Sequence, residues 1–237
     1  MLNKHLEKGL LGNLMFFPPL LLFFIIIFFF LIIFLFAFLQ VGLIGIAFSK
    51  LGLPPEYLFG ILLLTLLGSF INIPIGEMEG GEVVDSKEVR YFGVRYRLPQ
   101  IYRRQKTVLA INLGGALMPL LISVYLLYKM SDIIPAFAAT LIVTVVVSRL
   151  ARPIRGVGIG IPALIPPLVA ALAAYLLAAP EYRAPVAYIS GTLGTLIGAD
   201  LLRLKDIRNM GAPVASIGGA GTFDGVFLSG VIAVLLS

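Results

Sequence analysis

The chain has 237 residues, 59% of them hydrophobic and 13% charged, with a net charge of +6 and a mean hydropathy of +1.04. No soluble core needs that much apolar surface, so the composition predicts an all-α polytopic membrane protein. It holds no cysteine and one histidine, His5, in the polar start. That excludes disulfides, thiol nucleophiles, thiolate metal sites, histidine-assisted serine catalysis and a two-histidine zinc helix.

In chain order, residues 1–36 begin with charge, but their apolar run continues to Phe48. Signal-peptide cores run to only about 7–15 residues, so this segment is predicted to be a retained anchor. Apolar runs over 20–48, 55–75, 107–128, 132–149, 157–179, 184–203 and 213–237 predict seven transmembrane helices, each near the roughly 17–25 residues that a span needs. Pro18-Pro19 and Pro54-Pro55 stand at helix starts, where a missing N–H does little harm. The expected organisation is a two-span hairpin over 1–75, a polar segment over 76–106, and a five-span core over 107–237.

Within the polar segment, Val89, Tyr91, Val94, Tyr96 and Leu98 alternate around Phe92-Gly93, which predicts a small β-hairpin. Two roles fit it. An exposed edge carrying Val94 and Tyr96 could hold an extended substrate by strand addition. A basic, aromatic hairpin could equally rest on lipid headgroups.

Seven spans would put the N-terminus and the loops 76–106, 149–156 and 204–212 on one side. Counting Arg203 with its loop, fifteen of the 18 Lys and Arg fall there, against Lys50, Lys129 and Arg183 on the other. Positive charge favours the cytoplasmic side. The expectation is therefore a multi-pass plasma-membrane protein with a cytoplasmic N-terminus and an outside C-terminus. Its net charge reads as contact with anionic lipid headgroups, not with nucleic acid.

Two acids lie inside the apolar runs, where a carboxylate costs roughly 2.5 kcal/mol or more. Asp200 is 16 residues from Ala184 and Asp224 is 13 before Ser237, or about 24 and 20 Å from the same side at 1.5 Å per residue. Adjacent antiparallel helices would thus carry them at similar depth. Asn112, about a turn and a half into the third span, and Asn72, near the end of the second, fall at the same level, as do the prolines and glycines of 156–167. Backbone left unpaired by Pro162, Pro166 and Pro167 is tolerated in a membrane only where it is buried in protein or lines a wet cavity. Packing alone is the other reading. The asparagines could fasten helices, and the glycines of "GTLGTLIGAD" and "GGAGTFDG" could simply permit close approach. Two close carboxylates share a proton, however, and can serve as acid and base together. That chemistry needs no metal or cofactor, and none is expected.

At these residues the chain resembles the intramembrane aspartyl proteases, the class of presenilin, signal peptide peptidase and prepilin peptidase. The resemblance implies Asp200 and Asp224 as the catalytic dyad, and transmembrane or signal-peptide-like proteins as substrates. Pro162-Ala163-Leu164 matches the Pro-Ala-Leu tripeptide of the presenilin branch, which implies that these three residues shape the substrate cleft, with Asn112 and Asn72 nearby. The class carries its second aspartate in Gly-x-Gly-Asp, whereas Gly198-Ala199-Asp200 and Gly221-Thr222-Phe223-Asp224 stand here. Its tripeptide follows both aspartates, and here it precedes them. Over its whole length the chain also resembles an uncharacterised archaeal and bacterial membrane-protein family, which implies no activity. The competing function is an ion- or proton-coupled transporter using the same aspartates with Asn112.

Overall fold

Residues 19–50 contain no charge before Lys50 and no helix breaker after Pro19, and they form one helix, α1 (Pro19–Lys50). The computed structural model describes residues 19–85, 88–91, 94–97, 101–154, 158–207, 214–219 and 225–237. It divides into two units, Met1–Leu43 and Ile44–Ser237. In the first, the side chains from Leu22 onward are exposed and, Gln40 apart, apolar on every face of the helix, as suits an apolar surrounding rather than water.

The second unit holds the end of α1, then α2 (Pro55–Gly68), β1 (Asn72–Asp85), β2 (Glu88–Tyr91), β3 (Val94–Arg97) and β4 (Ile101–Asn112). A π-helical turn (Leu113–Leu117) leads into α3 (Met118–Lys129), followed by α4 (Ile134–Leu150), β5 (Arg152–Ile154), β6 (Gly158–Gly160) and α5 (Ile165–Leu177). Next come α6 (Arg183–Thr195), a second π-helical turn (Leu196–Leu201), α7 (Leu204–Ile207), β7 (Val214–Ile217) and α8 (Gly225–Leu236).

The long helices alternate in direction, as the bonds at their ends show. At one end Lys50 Nζ donates to the Val234 carbonyl (3.2 Å) and Tyr182 Oη to Ser131 Oγ (3.3 Å). At the other, Asn112 Nδ2 donates to the Ser69 carbonyl (2.7 Å) and Arg203 to the Ser148 carbonyl. Helix α6 forms the centre, with Val186, Ala187, Tyr188 and Ile189 fully buried among α3, α4, α5 and α8. Its glycines set the spacing. A Cβ on Gly194 would lie 2.6 Å from Val143 Cβ, one on Gly198 2.8 Å from the Thr144 carbonyl, and one on Gly191 3.0 Å from the Ser229 carbonyl. Hydroxyls bridge the same faces, Ser123 to Thr192 at 3.0 Å and Thr195 to Ser229 at 3.3 Å.

Of the seven predicted spans, two are, among the described residues, helices long and apolar enough to cross a membrane by themselves, Leu22–Lys50 and Pro180–Asp206. The other five apolar helices have only 10–17 residues, and the predicted spans overrun them. Residues 72–75 and 107–112 are strand, paired antiparallel from Asn72↔Asn112 to Asp85↔Ile101. Residues 214–217 lie parallel to β4, giving the sheet order β1-β4-β7. The cause is local. Pro74 cannot continue a helix, disfavours helical backbone at Ile73, and sits among alternating Ile71, Ile73 and Ile75, which suit a pleated strand. Likewise Thr107, Val108 and Ile111 favour β4. Beyond this ladder β2 and β3 pair as Val89↔Tyr96 and Tyr91↔Val94, the alternation read from the sequence. Phe92, Gly93 and Leu98 lie outside the described residues.

Candidate functional site

Asp200 occupies the π-helical turn that closes α6, where the Leu202 N–H donates five residues back to the Ile197 carbonyl (2.9 Å). Such single wide turns hold an extra residue and recur at functional positions. The side chain is half-buried, and its Oδ2 accepts the Gly218 N–H at 2.7 Å. Gly218 follows β7 with φ +82° and Gly219 comes next with φ +89°, a left-handed pair that glycine adopts without steric cost. Gly218 is also wedged against the first π-helical turn. A Cβ on Gly115 would lie 1.8 Å from the Gly218 carbonyl oxygen, and one on Gly218 would lie 2.6 Å from Ala116 Cβ.

Asn112 stands one residue before that first turn, not a turn and a half into a helix as its apolar surroundings suggested. It is the helix N-cap, with Oδ1 accepting the Gly115 N–H at 2.7 Å. Its Nδ2 donates to the Ser69 carbonyl (2.7 Å) and to Asn72 Oδ1 (3.1 Å). Ser216 of β7 donates its hydroxyl to the same Asn72 oxygen at 2.5 Å. One buried amide thereby ties the end of α2, the start of β1, the end of β4 and the start of α3. A cap bond of this kind contributes about 1 kcal/mol.

Asn72 and Asn112 therefore meet directly, and Asp200 joins them through the Gly115–Gly218 contact. Pro162, Ala163 and Leu164 form the exposed turn that opens α5, with the Ile165 N–H donating to the Pro162 carbonyl at 3.2 Å. Just before them, Ile159 packs on Ala215 of β7. Val94 and Tyr96 lie on β3. Asp224 lies outside the described residues, one position before Gly225, where α8 begins.

Sequence reasoning missed Gly218, Gly115, Ser69 and Ser216. Only Gly115 had a readable signal: an Asn three residues ahead of a backbone N–H in "NLGG" is an N-cap spacing. The others depend on pairings between distant segments. Among the described residues, no group of three or more His, Cys, Asp and Glu could hold a metal ion.

A family described as protein of unknown function (DUF1614) matches residues 66–236. No curated protein and no solved structure matches the chain.

Proposed function

We propose that this chain, which belongs to the DUF1614 family, is a membrane-embedded aspartyl protease that cuts membrane-embedded segments of other proteins with Asp200 and Asp224. Membrane placement is supported by the outer surface of the second unit. Phe59, Ile134, Leu141 and Leu176 are each 60% or more exposed on α2, α4 and α5, and large apolar side chains exposed on several helices suit a lipid or partner contact. Seven crossings, with the sheet end cytoplasmic, fit the alternating helix directions and the distribution of Lys and Arg. In such an arrangement the exposed Ile71, Ile73, Ile75 and Val214 extend the apolar surface beyond the ends of the short helices.

The observation that carries the assignment is the α6–α8 register. The two helices are antiparallel and in close contact, with Thr195 Oγ1 3.3 Å from Ser229 Oγ. Counting five residues on from Thr195 and five back from Ser229 reaches Asp200 and Asp224. In the proposed dyad the two carboxyls divide the labour. One takes a proton from water as its oxygen attacks the peptide carbonyl carbon, while the other protonates the carbonyl oxygen. The resulting diol collapses as the amide nitrogen gains a proton and the C–N bond breaks. Among the described residues β7 is an edge strand of the sheet and leads into the Asp200-bound Gly218, and this edge is the proposed support for an extended substrate. Val94 and Tyr96 of the β2–β3 hairpin, with 162–164, are the further substrate contacts proposed.

The test is hydrolysis of a labelled transmembrane peptide by the purified chain in liposomes. Asp200→Asn and Asp224→Asn should each abolish it, and the double variant should be no worse than either, because a dyad acts as a unit. Retention of cleavage in either single variant sinks the proposal. A second reading, an ion-coupled transporter, is favoured by one feature: both π-helical breaks fall beside Asn72, Asn112 and Asp200. Interrupted helices with polar side chains at the break suit ion coordination. Asp200-dependent Na⁺ or proton flux without hydrolysis would decide for it.

A further inference from the structure

We infer that the loop ends of α4 and α7 form a binding site for an anionic phospholipid, its phosphate held by Arg149, Arg152 and Lys205. The inference rests on the membrane placement above but not on the protease assignment.

The sequence concentrates charge there. Residues 149–155 read RLARPIR, with three arginines and no acid, and 203–208 read RLKDIR, with three cations and one acid. The fold brings the two stretches together, because Arg203 of the second donates to the Ser148 carbonyl beside the first. A second tie runs through the sheet. Arg152 is the strand partner of Gly160, and the neighbouring Ile159 packs on Ala215 along with Leu204.

The single acid is already used, since Asp206 Oδ2 lies 3.0 Å from Arg203 Nη1. Arg149, Arg152 and Lys205 are exposed and have no ion-pair partner among the described residues. Three uncompensated cations call for an anion. Within a few residues of them in the chain, Leu150, Ile154, Leu201 and Leu202 are exposed as well, Leu202 by 58%. A soluble phosphate ester or a nucleic acid leaves those side chains facing water. A phospholipid satisfies both, with its phosphate on the cations and its acyl chains on the leucines and isoleucine. Lys129, at the opposite end of the bundle, is instead stacked 4.7 Å over the Tyr125 ring.

The experiment measures lipid retention, so its failure is separate from any failure of hydrolysis. The purified full chain in neutral detergent is titrated with dioleoyl phosphatidylglycerol or dioleoyl phosphatidylcholine, and bound lipid is counted by native mass spectrometry. Phosphatidylglycerol should be preferred. Each cation removed should weaken it about fivefold, so R149Q/R152Q/K205Q should lose about 100-fold, while K129Q loses nothing and R152K retains binding. Unfolding temperatures in lipid-free micelles check that the variants are intact, and the single variants carry the test if the triple one is not. Three results would overturn the inference: wild-type preference in R149Q and R152Q, an equal loss in K129Q, or displacement of the lipid by millimolar inorganic phosphate.

Discussion

Replacing Asn112 with alanine tests the claim that one amide organises the site end of the bundle. The side chain is 1% exposed and makes three hydrogen bonds, to Gly115 N–H, the Ser69 carbonyl and Asn72 Oδ1. Loss of the cap costs about 1 kcal/mol. Each partner left unsatisfied in a buried place adds about 1–3 kcal/mol, and partial access of water to exposed Asn72 keeps its share small. The expected total is about 3 kcal/mol. At roughly 2–4 °C per kcal/mol for a chain of this size, the unfolding temperature should fall by about 9 °C. Asn112→Asp sharpens the test. It keeps the oxygen that caps Gly115 but turns a second oxygen toward the Ser69 and Asn72 oxygens, formerly 2.7 and 3.1 Å from a donor. It should therefore be no more stable than the alanine variant, despite its near-identical shape. The assay is thermal unfolding in one detergent, followed by far-ultraviolet circular dichroism. An alanine variant within about 2 °C of the parent, or an aspartate variant equal to it, would refute the reasoning.

Gly218→Ala should cost about 2–4 kcal/mol, because φ is +82° and the new methyl would meet Ala116 at 2.6 Å. Its unfolding temperature should drop accordingly, and hydrolysis should fall further than in the Asn112 variants because the amide that holds Asp200 moves. In a chain without cysteine, Ser86→Cys should react with a membrane-impermeant maleimide only in opened cells. Labelling of intact cells would reverse the proposed orientation. Val94→Pro removes a strand N–H next to the hairpin turn. It should slow cleavage of a long substrate about tenfold or more without changing expression, and unchanged turnover returns the hairpin to a headgroup role.

The positions of the apolar helices and the β2–β3 hairpin were legible in the sequence because both patterns are local. Hydropathy over about 20 residues and alternation of Val89, Tyr91, Val94 and Tyr96 need no knowledge of distant partners. Asp200, Asn72 and Asn112 drew attention for a related reason, since polar groups in apolar runs stand out whatever they contact. Where each helix stops was not. Residues 72–75, 107–112 and 214–217 are as apolar as the helices they adjoin, and they become strand because they can pair with one another. A strand's backbone is satisfied only by a neighbour, and the neighbours of Ile111 are Ile73 on one side and Ile217, 106 residues away, on the other. The same nonlocality hid Gly218. Its left-handed backbone, its fit against Ala116 and its bond to Asp200 arise only once β7 has docked on β4, which tertiary structure alone decides.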